Sequence, residues 1–266
     1  MCGYRKGYNP QYALLTLIEK WKVSLDNSGY SGVVFMDLSK AFDTINYDLL
    51  LAKLHAYGFN TSALKLMRSY LTNRWQRTKV NTSFSTWREV NSGVPQGSVL
   101  GPLLFNIYIN DLFWVGEQTE SCGWADDISI HACDRNLESL ILRLEHDSLL
   151  VIEWFDSNYM KLNADKCHLL ISGLKHQWKW AMVGEEKLWE SKSEKLLGIT
   201  IDKDLNFNEH IRNVCHKAGR KVTALGRICR YLNLDKRRIL LKLLFNHSFY
   251  SVQLFGCFTV DVLKIK

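Results

Sequence analysis

The sequence predicts an α+β fold, and three observations support this class. Short runs rich in β-branched and aromatic residues, such as Val33 to Leu38, have the composition of strands. Longer segments repeat apolar residues every three or four positions, which is typical of amphipathic helices. The 266 residues are 47% hydrophobic and 23% charged. This is the length and composition of one large globular domain or two small ones.

The first ninety residues are predicted to contain three helices, one strand and one hairpin. Asn9-Pro10 is typical of a helix N-terminus, and the segment Asp26 to Gly29 ends that helix. The strand Val33 to Leu38 follows and delivers Asp37 at its end. The next predicted elements are a helix from Asn46 to Tyr57, a helix capped by Thr61 or Ser62, and a hairpin pairing Gln76–Val80 with Trp87–Val90.

A glycine-rich loop comes next. Residues Ser92 to Pro102 contain three glycines and two prolines, and an apolar helix, Leu103 to Leu112, follows them. Glycine lets the backbone approach a ligand closely, and a helix N-terminus favours anions. The loop therefore either cradles a nucleotide or template strand, or is only a sharp strand-to-helix turn.

The second half of the chain alternates predicted strands and helices. They are a hairpin from Trp124 to Ile130, a helix capped by Asn136, a strand, turn and strand from Met160 to Ile171, a strand from Lys195 to Asp202, a helix with an apolar stripe from Ile211 to Cys229, and a helix beginning at Lys236 and capped by Asp235.

Three carboxylates are expected to meet if the two acidic strands lie side by side. Asp37 ends the first strand, and Asp126 and Asp127 occupy the turn of the later hairpin. Like charges this close need a compensating cation, and hard oxygen ligands suit Mg²⁺. Two such ions would clamp the oxygens of a phosphoryl displacement. An Asp-Asp pair in a solvated turn is the alternative interpretation.

Two further residues have open alternatives. Phe42 follows the first acidic strand and is either the floor under a nucleotide sugar or a core aromatic. Lys166 lies in a predicted turn and is either a proton donor that reaches the acids or a surface lysine.

Charge is distributed unevenly along the chain. Residues 1–200 carry 21 Lys/Arg and 22 Asp/Glu, and residues 201–266 carry 13 and 5, so their net charges are −1 and +8. Such a basic segment indicates a polyanion, most simply nucleic acid, or else a solvated helix face. The seven cysteines form no C-x-x-C pair, and no apolar run approaches about 20 residues. We therefore expect an intracellular protein, nuclear or cytoplasmic, that does not span a membrane.

Five motifs in this order resemble the reverse transcriptase domain of non-LTR retrotransposons, the LINE-type, Jockey-like elements. The similarity extends from about Arg5 to about Lys242. The motifs are Phe35 to Asp43, Gly93 to Pro102, Ala125-Asp126-Asp127, Leu162-Asn163 with Lys166-Cys167, and Lys195 to Gly198.

The resemblance implies a right-hand polymerase fold: partial fingers, a palm with an antiparallel sheet flanked by helices, and a partial helical thumb. The expected divisions are 1–30 for the fingers, 31–202 for the palm with a fingers insertion at about 46–95, and 203–266 for the basic thumb. The chain would then begin within the fingers and depart from the family after about Leu243.

The same resemblance implies residue roles. Asp37 and Asp126 would bridge two Mg²⁺ ions, with Mn²⁺ as the alternative ion, the Leu38 carbonyl as an extra ligand and Asp127 in a lesser part. Nucleotide contacts would come from Arg5 or Lys6, Phe42, Gln96 and Gly97, and Lys166 would protonate pyrophosphate. Primer and template contacts would come from Trp124, where the family usually has Tyr or Phe, the Leu197-Gly198 turn, and Arg220, Lys221 and Arg227.

The implied activity is RNA-directed DNA polymerisation, with an RNA template, a DNA primer and deoxynucleoside triphosphates. The alternative is an inactive retroelement fragment that only binds nucleic acid. A nuclease built on the same acids is a weaker alternative, because it leaves the Pro95-Gln96-Gly97 loop without a role. The sequence does not indicate an oligomeric state.

Overall fold

The computed structural model describes residues 10–124, 127–174, 180–229, 231–237 and 239–240. The helices are α1 (Pro10–Asp26), α2 (Tyr47–Ala56), α3 (Thr61–Leu71), α4 (Gly101–Ile109), α5 (Leu137–Ser157) and α6 (Asn208–Cys229). The strands are β1 (Tyr30–Met36), β2 (Arg74–Gln76), β3 (Lys79–Val80), β4 (Ser83–Phe84), β5 (Arg88–Val90), β6 (Glu120–Trp124), β7 (Asp127–Asp134), β8 (His168–Ser172), β9 (Trp180–Val183), β10 (Glu186–Trp189), β11 (Ser193–Leu196) and β12 (Ile199–Asp202).

A four-stranded antiparallel sheet in the order β6-β7-β1-β8 forms the centre of the fold. Val34 of β1 pairs with Ile130 of β7 on one side and with Leu169 of β8 on the other. Residues 33–36 are all buried because β1 is covered on both faces. Such a strand has a continuous apolar run in place of alternation.

The alternating residues of β1 belong to two separate hydrophobic cores. Val34 and Met36 pack in the larger core with α2, α4 and α5. Val33 and Phe35 pack in a smaller core with α1 and the β11–β12 hairpin. Because successive side chains of a strand point to opposite faces, the sheet separates these two cores and joins them rigidly.

Several local predictions were wrong. The side chain of Asn60 accepts from Ala63 N, so Asn60 caps α3 in place of Thr61 or Ser62. The apolar helix ends at Ile109 and continues as a 3₁₀ helix, Asn110–Trp114. Leu162 forms only an isolated bridge with Leu38, where a strand was predicted. The segment 195–202 was predicted as one strand but contains the turn of a hairpin, β11–β12, because Leu197 and Gly198 take positive φ values and reverse the chain.

The apolar stripe predicted from Ile211 to Cys229 lies on α6, but the structure leaves most of it uncovered. Only His210 and Leu225 of this helix are buried, and Val222 is 55% exposed. Within the described residues, no helix is both long and apolar enough to cross a bilayer.

Candidate active site

Two of the candidate carboxylates lie at the same end of the central sheet. The last pair of the β1–β7 ladder is Met36 with Ile128, so Asp37 and Asp127 occupy the next position on each strand. The Asp37 side chain is 32% exposed, and Asp127 is exposed. The β1–β7 register therefore places these two acids at neighbouring positions at this end of the sheet.

Three predicted site residues lie outside the described residues: Arg5, Lys6 and Asp126. Trp124 ends β6, and its backbone pairs with that of Asp127. The roles of these four residues stay predictions.

The backbone around Asp37 is fixed by the segment 161–163. Asn163 N donates to Asp37 O, and Ser39 N donates to Lys161 O, both at 2.9 Å. Leu38 lies between these bonds and forms its bridge with Leu162, and its side chain is buried. The carboxylate of Asp37 therefore projects from backbone that is held on both sides.

Lys166 reaches the same carboxylate. It ends a 3₁₀ helix, Ala164–Lys166, and its Nζ lies 3.3 Å from Asp37 Oδ2. Lys166 N donates to Asn163 O at 3.0 Å, so Asn163 links the backbone of Lys166 to that of Asp37. Of the two alternatives, the structure favours a lysine that reaches the acids over a surface lysine distant from them, although the Lys166 side chain is 64% exposed.

Cys167, the residue after Lys166, is a buried thiol and not part of the reactive surface. Burial raises the pKa of the Cys167 thiol, and a backbone hydrogen bond at Asp37 only partly opposes this effect. Its Sγ donates to Asn163 O at 3.3 Å. A thiolate is thus disfavoured beside Asp37. The reactive groups there are the carboxylates and the ammonium group of Lys166.

The glycine-rich loop docks onto the segment that follows β1. Gly93 N donates to Ile45 O and Val94 N donates to Phe42 O, both at 2.9 Å. A Cβ on Gly93 would lie 2.6 Å from Asp43 Cα, and the φ of Gly93 is +81°. Glycine is therefore required here for approach to the chain's own backbone, whereas the sequence had suggested approach to a ligand.

Asp43 orients Gln96, and the sequence reasoning did not single it out. Gln96 Nε2 donates to Asp43 Oδ1 at 2.9 Å, and Ser92 Oγ donates to Asp43 O at 2.8 Å. The sequence showed only a carboxylate directly after Phe42. Its hydrogen-bond partner, Gln96, could not be named without the fold.

One cavity of about 470 Å³ joins these elements. The ring of Phe42 stacks on Phe105, with centroids 4.3 Å apart and planes at 20°. Phe42 is thus both a core aromatic and a wall of the cavity. The predicted site residues that line the cavity are Asp37, Leu38, Phe42, Gln96, Gly97 and Lys166.

The other predicted contacts lie elsewhere in the fold. Leu197 and Gly198 form the β11–β12 turn, and Leu197 packs against the smaller core. Arg220, Lys221 and Arg227 lie on α6. None of these five residues lines the cavity.

Comparison with known proteins identifies the family. The family described as reverse transcriptase (RNA-dependent DNA polymerase) matches residues 6–201, which is most of this chain. The chain belongs to the reverse transcriptase family. Its resemblance to the polymerases of non-LTR elements is confirmed by the relatives, which are named RNA-directed DNA polymerases of mobile elements.

Two relatives come from Drosophila melanogaster. The chain is 27% identical over 233 residues to the probable RNA-directed DNA polymerase from transposon BS, covering 84% of this chain and 26% of that protein. It is 24% identical over 266 residues to the RNA-directed DNA polymerase from mobile element jockey, covering 96% of this chain and 29% of that protein. The chain thus spans little more than a quarter of the length of these relatives.

Solved structures show the fold of this reverse transcriptase chain. Telomerase from Candida tropicalis, in complex with a TWJ fragment of telomeric RNA, aligns with a TM-score of 0.51 and 10% identity over 94% of this chain and 43% of that one. The corresponding telomerase complex from Candida albicans has a TM-score of 0.51 at 14% identity, over 94% and 44% of the two chains. The fold is that of a right-hand polymerase.

Reverse transcriptases generally use divalent metal ions. The described residues contain no group of three His, Cys, Asp or Glu side chains that could hold a metal ion. The donor set of Asp37 and Asp127 nevertheless fits Mg²⁺, which binds oxygen ligands and usually takes only one or two protein carboxylates.

Proposed function

We propose that this chain is the RNA-directed DNA polymerase domain of a non-LTR retrotransposon and extends a DNA primer on an RNA template. The observation that supports this most is the convergence of Asp37, Phe42, Gln96 and Lys166 on one cavity, with Asp127 beside Asp37 on the neighbouring strand. These residues come from four separate segments, and only the fold brings them together.

The reaction forms a bond between the primer 3′-oxygen and the α-phosphorus of a deoxynucleoside triphosphate, and pyrophosphate leaves. Asp37 and Asp127, with Asp126 and the Leu38 carbonyl, would hold two Mg²⁺ ions, or Mn²⁺ as the alternative. When bound, such ions lower the pKa of the attacking hydroxyl and neutralise charge on the leaving group.

The chain's own residues orient the nucleotide and supply a proton. Phe42, backed by Phe105, presents a flat apolar wall where a ribose 2′-hydroxyl would be excluded. Gln96, held by Asp43, lines the same cavity for contact with the nucleotide and template. Lys166, whose Nζ lies 3.3 Å from Asp37 Oδ2, would donate a proton to pyrophosphate as it leaves.

We further assign the parts of the hand. Residues 1–30 would belong to the fingers, with Arg5 or Lys6 contacting the triphosphate, and 31–202 to the palm, with an insertion at about 46–95. Residues 203–266 would form the thumb. Primer and template would contact Trp124, the Leu197-Gly198 turn, and Arg220, Lys221 and Arg227 of α6.

Primer extension with purified protein, an RNA template, Mg²⁺ and deoxynucleotides tests the proposal. Asp37→Asn and Asp126→Asn should each lower the extension rate by about two to three orders of magnitude, because several kcal/mol of charge stabilisation are lost. Primer–template binding should change little. Asp204→Asn removes an exposed carboxylate outside the cavity and is the matched control.

The alternative is a chain that only binds nucleic acid. No extension by wild-type protein that still binds primer–template would establish that alternative and overturn the polymerase. Equal loss of binding and extension in Asp37→Asn would contradict the division of roles between the acids and the binding surfaces.

A further inference from the structure

The insertion between α3 and α4 contains an exposed two-stranded ribbon with aromatic and basic side chains. We call residues 74–90 the aromatic ribbon. Strand β2 pairs with β5 at its base, and β3 pairs with β4 at its tip. Every residue from 75 to 89 is exposed, and no ribbon residue belongs to either hydrophobic core.

The base of the ribbon is anchored to the body of the fold. The Arg74 guanidinium donates to the hydroxyl of Tyr47 and to Gly93 O. Tyr47 Oη in turn donates to Val90 O at 3.3 Å. Since Gly93 begins the loop that carries Gln96, the ribbon is held at a fixed position next to the candidate active site. None of its residues lines the cavity.

Three large aromatic side chains of the ribbon are left in solvent. Trp75 is 59% exposed, Phe84 is 50% exposed and Trp87 is 56% exposed. Exposing aromatic rings that could pack in a core is unfavourable, and a cluster of them marks an interaction surface. A ribbon needed only as a connection would not require three of them.

Two of the rings lie against two cations. The Arg77 guanidinium carbon lies 4.0 Å from the Phe84 ring centroid and 4.6 Å from that of Trp87. Lys79 Nζ lies 5.4 Å from the Phe84 centroid and pairs with Phe84 across the strands. Trp75 lies on β2, two residues before Arg77 along the ribbon. Exposed rings and positive charges are therefore interleaved along this segment.

The surrounding chain is strongly basic. Residues 51–100 carry seven Lys/Arg and one Asp/Glu, a net charge of +6 that the near-neutral total for residues 1–200 conceals. Within the ribbon, Glu89 is the single acidic residue against Arg74, Arg77, Lys79 and Arg88. This charge favours a polyanion over an ordinary protein surface.

From the exposed rings, the interleaved cations and the local charge, we infer that the aromatic ribbon binds an unpaired nucleic-acid strand outside the catalytic cavity. Bases of a single strand present their faces for stacking on Trp75, Phe84 and Trp87, and Arg77 and Lys79 neutralise the backbone phosphates. A duplex presents no base faces and would not use the rings.

The inference deepens the proposed function, since a polymerase must hold template that has not yet been copied. The test needs no catalysis. Binding of a labelled oligodeoxythymidine of about 12 nucleotides, a typical single-strand site size, and of a duplex of the same length is measured by fluorescence anisotropy without deoxynucleotides. If the chain binds the oligodeoxythymidine through the ribbon but does not extend primers, the ribbon inference stands and only the polymerase is refuted.

The double variant Trp75→Ala/Trp87→Ala should weaken single-strand binding by about tenfold or more, which is the scale of losing even one stacked base. Duplex binding should change less than about twofold, because paired bases do not stack on the rings. Trp189→Ala removes a tryptophan that is 63% exposed on β10 and should leave both affinities unchanged. For single-strand binding, Arg77→Met should make the plot of log affinity against log salt concentration shallower by the amount expected for about one phosphate contact.

Three results would overturn the inference. The first is an unchanged single-strand affinity in the double variant, and the second is an equal loss of affinity for single strand and duplex. The third is a wild-type dimer, seen by sedimentation without nucleic acid, that the double variant does not form. The last result would assign the ribbon to contact between two copies of the chain. Because no ribbon ring belongs to a core, the double variant should keep its fold, which circular dichroism checks.

Discussion

A buried histidine couples the stability of the central sheet to pH. His131 of β7 is 5% exposed, pairs with Glu120 of β6, and has its ring 6.3 Å from that of Trp21. Burial lowers the pKa of His131 to about 4, while the charge of Glu120 raises it and that of Lys20 lowers it. The folded protein therefore keeps this imidazole neutral well into the acid range.

The sign of the effect follows from proton binding. An unfolded histidine has a pKa near 6.5, so between pH 6.5 and 4 the unfolded chain binds more protons than the folded chain. The free energy of unfolding should therefore fall by about 3 kcal/mol as the pH is lowered through this range, since one pKa unit corresponds to about 1.4 kcal/mol. The stabilising contribution is fully present above the unfolded pKa.

Urea unfolding between pH 4.5 and 7 measures this dependence, above the range in which most carboxylates titrate. His131→Gln and His131→Phe should flatten the profile even if they lower the absolute stability. His55→Gln, at an exposed position, should leave it unchanged. Because burial also lowers the pKa of His210, some slope should remain. If the free energy of unfolding of both His131 variants depended on pH as steeply as that of the wild type, the assignment of this dependence to His131 would be contradicted.

Residue identities in the candidate site were more predictable than residue partners. Asp37, Phe42, Gln96 and Lys166 were named from motifs, and all four line one cavity. Asp43 was missed because its role depends on Gln96, which lies 53 positions later in the chain. Gln96 approaches Asp43 only because Gly93 docks against the backbone of Asp43. A hydrogen bond between distant segments leaves no periodic signal in the sequence.

At the scale of elements, helix α5 anchors the loop that leads into β6. Asp147 is fully buried, and its Oδ2 accepts from Gln118 N, Thr119 N and Thr119 Oγ1 at 2.7–2.9 Å. Its Oδ1 lies 3.0 Å from His146 Nδ1. Burial would raise the pKa of Asp147, but the hydrogen bonds together hold it below its ordinary value. One carboxylate therefore satisfies three donors of this loop.

Replacing this carboxylate should be costly. Asp147→Ala would leave buried donors unsatisfied and should lower the free energy of unfolding by about 3 kcal/mol. Asp147→Asn keeps the shape and one acceptor and should cost less. Asp156→Ala, on the exposed side of the same helix, should stay within about 0.5 kcal/mol of wild type. Equal melting temperatures for Asp147→Ala and Asp156→Ala would show that the anchor is unimportant.

The elements that the sequence missed are those decided by turns and not by periodicity. From the residue pattern the β11–β12 hairpin was predicted as one strand, because Leu197 gives no turn signal, and only the family resemblance implied a Leu197-Gly198 turn. Leu197 takes a φ of 51° beside Gly198 at 86°. Left-handed conformations favour Gly, Asn and Asp, so a leucine there is difficult to anticipate. By contrast, α2 begins within one residue of the start predicted at Asn46, and α5 begins where Asn136 was expected to cap it.

At the scale of the whole molecule, the order of motifs predicted the right-hand fold, but it did not predict which surfaces remain exposed to solvent. The apolar stripe of α6 was predicted from periodicity, which shows that a face is apolar but not what packs on it. In the described part of the chain most of α6 is exposed, including Arg220 and Arg227, and Lys221 is half-buried. The positive charge of α6 is therefore accessible to a polyanion, which the charge of a buried helix would not be.

This accessible charge leads to a prediction about salt. If Arg220, Lys221 and Arg227 contact phosphates, each contact releases about 0.9 counterion from a duplex. Replacing all three with Ala should make the plot of log affinity against log salt concentration shallower by about two to three, and weaken binding to every sequence alike. Anisotropy titrations of a duplex from low to moderate salt measure the slope.

The matched control removes the same charge elsewhere. Lys187, Lys192 and Lys203 are exposed and lie outside α6, so their joint replacement with Ala changes the net charge equally. If the slope depended on net charge alone, both triple variants would flatten it alike, and the assignment of α6 would be wrong. A change confined to the α6 variant would show local contact, because phosphate neutralisation requires the cations to lie at the bound strand.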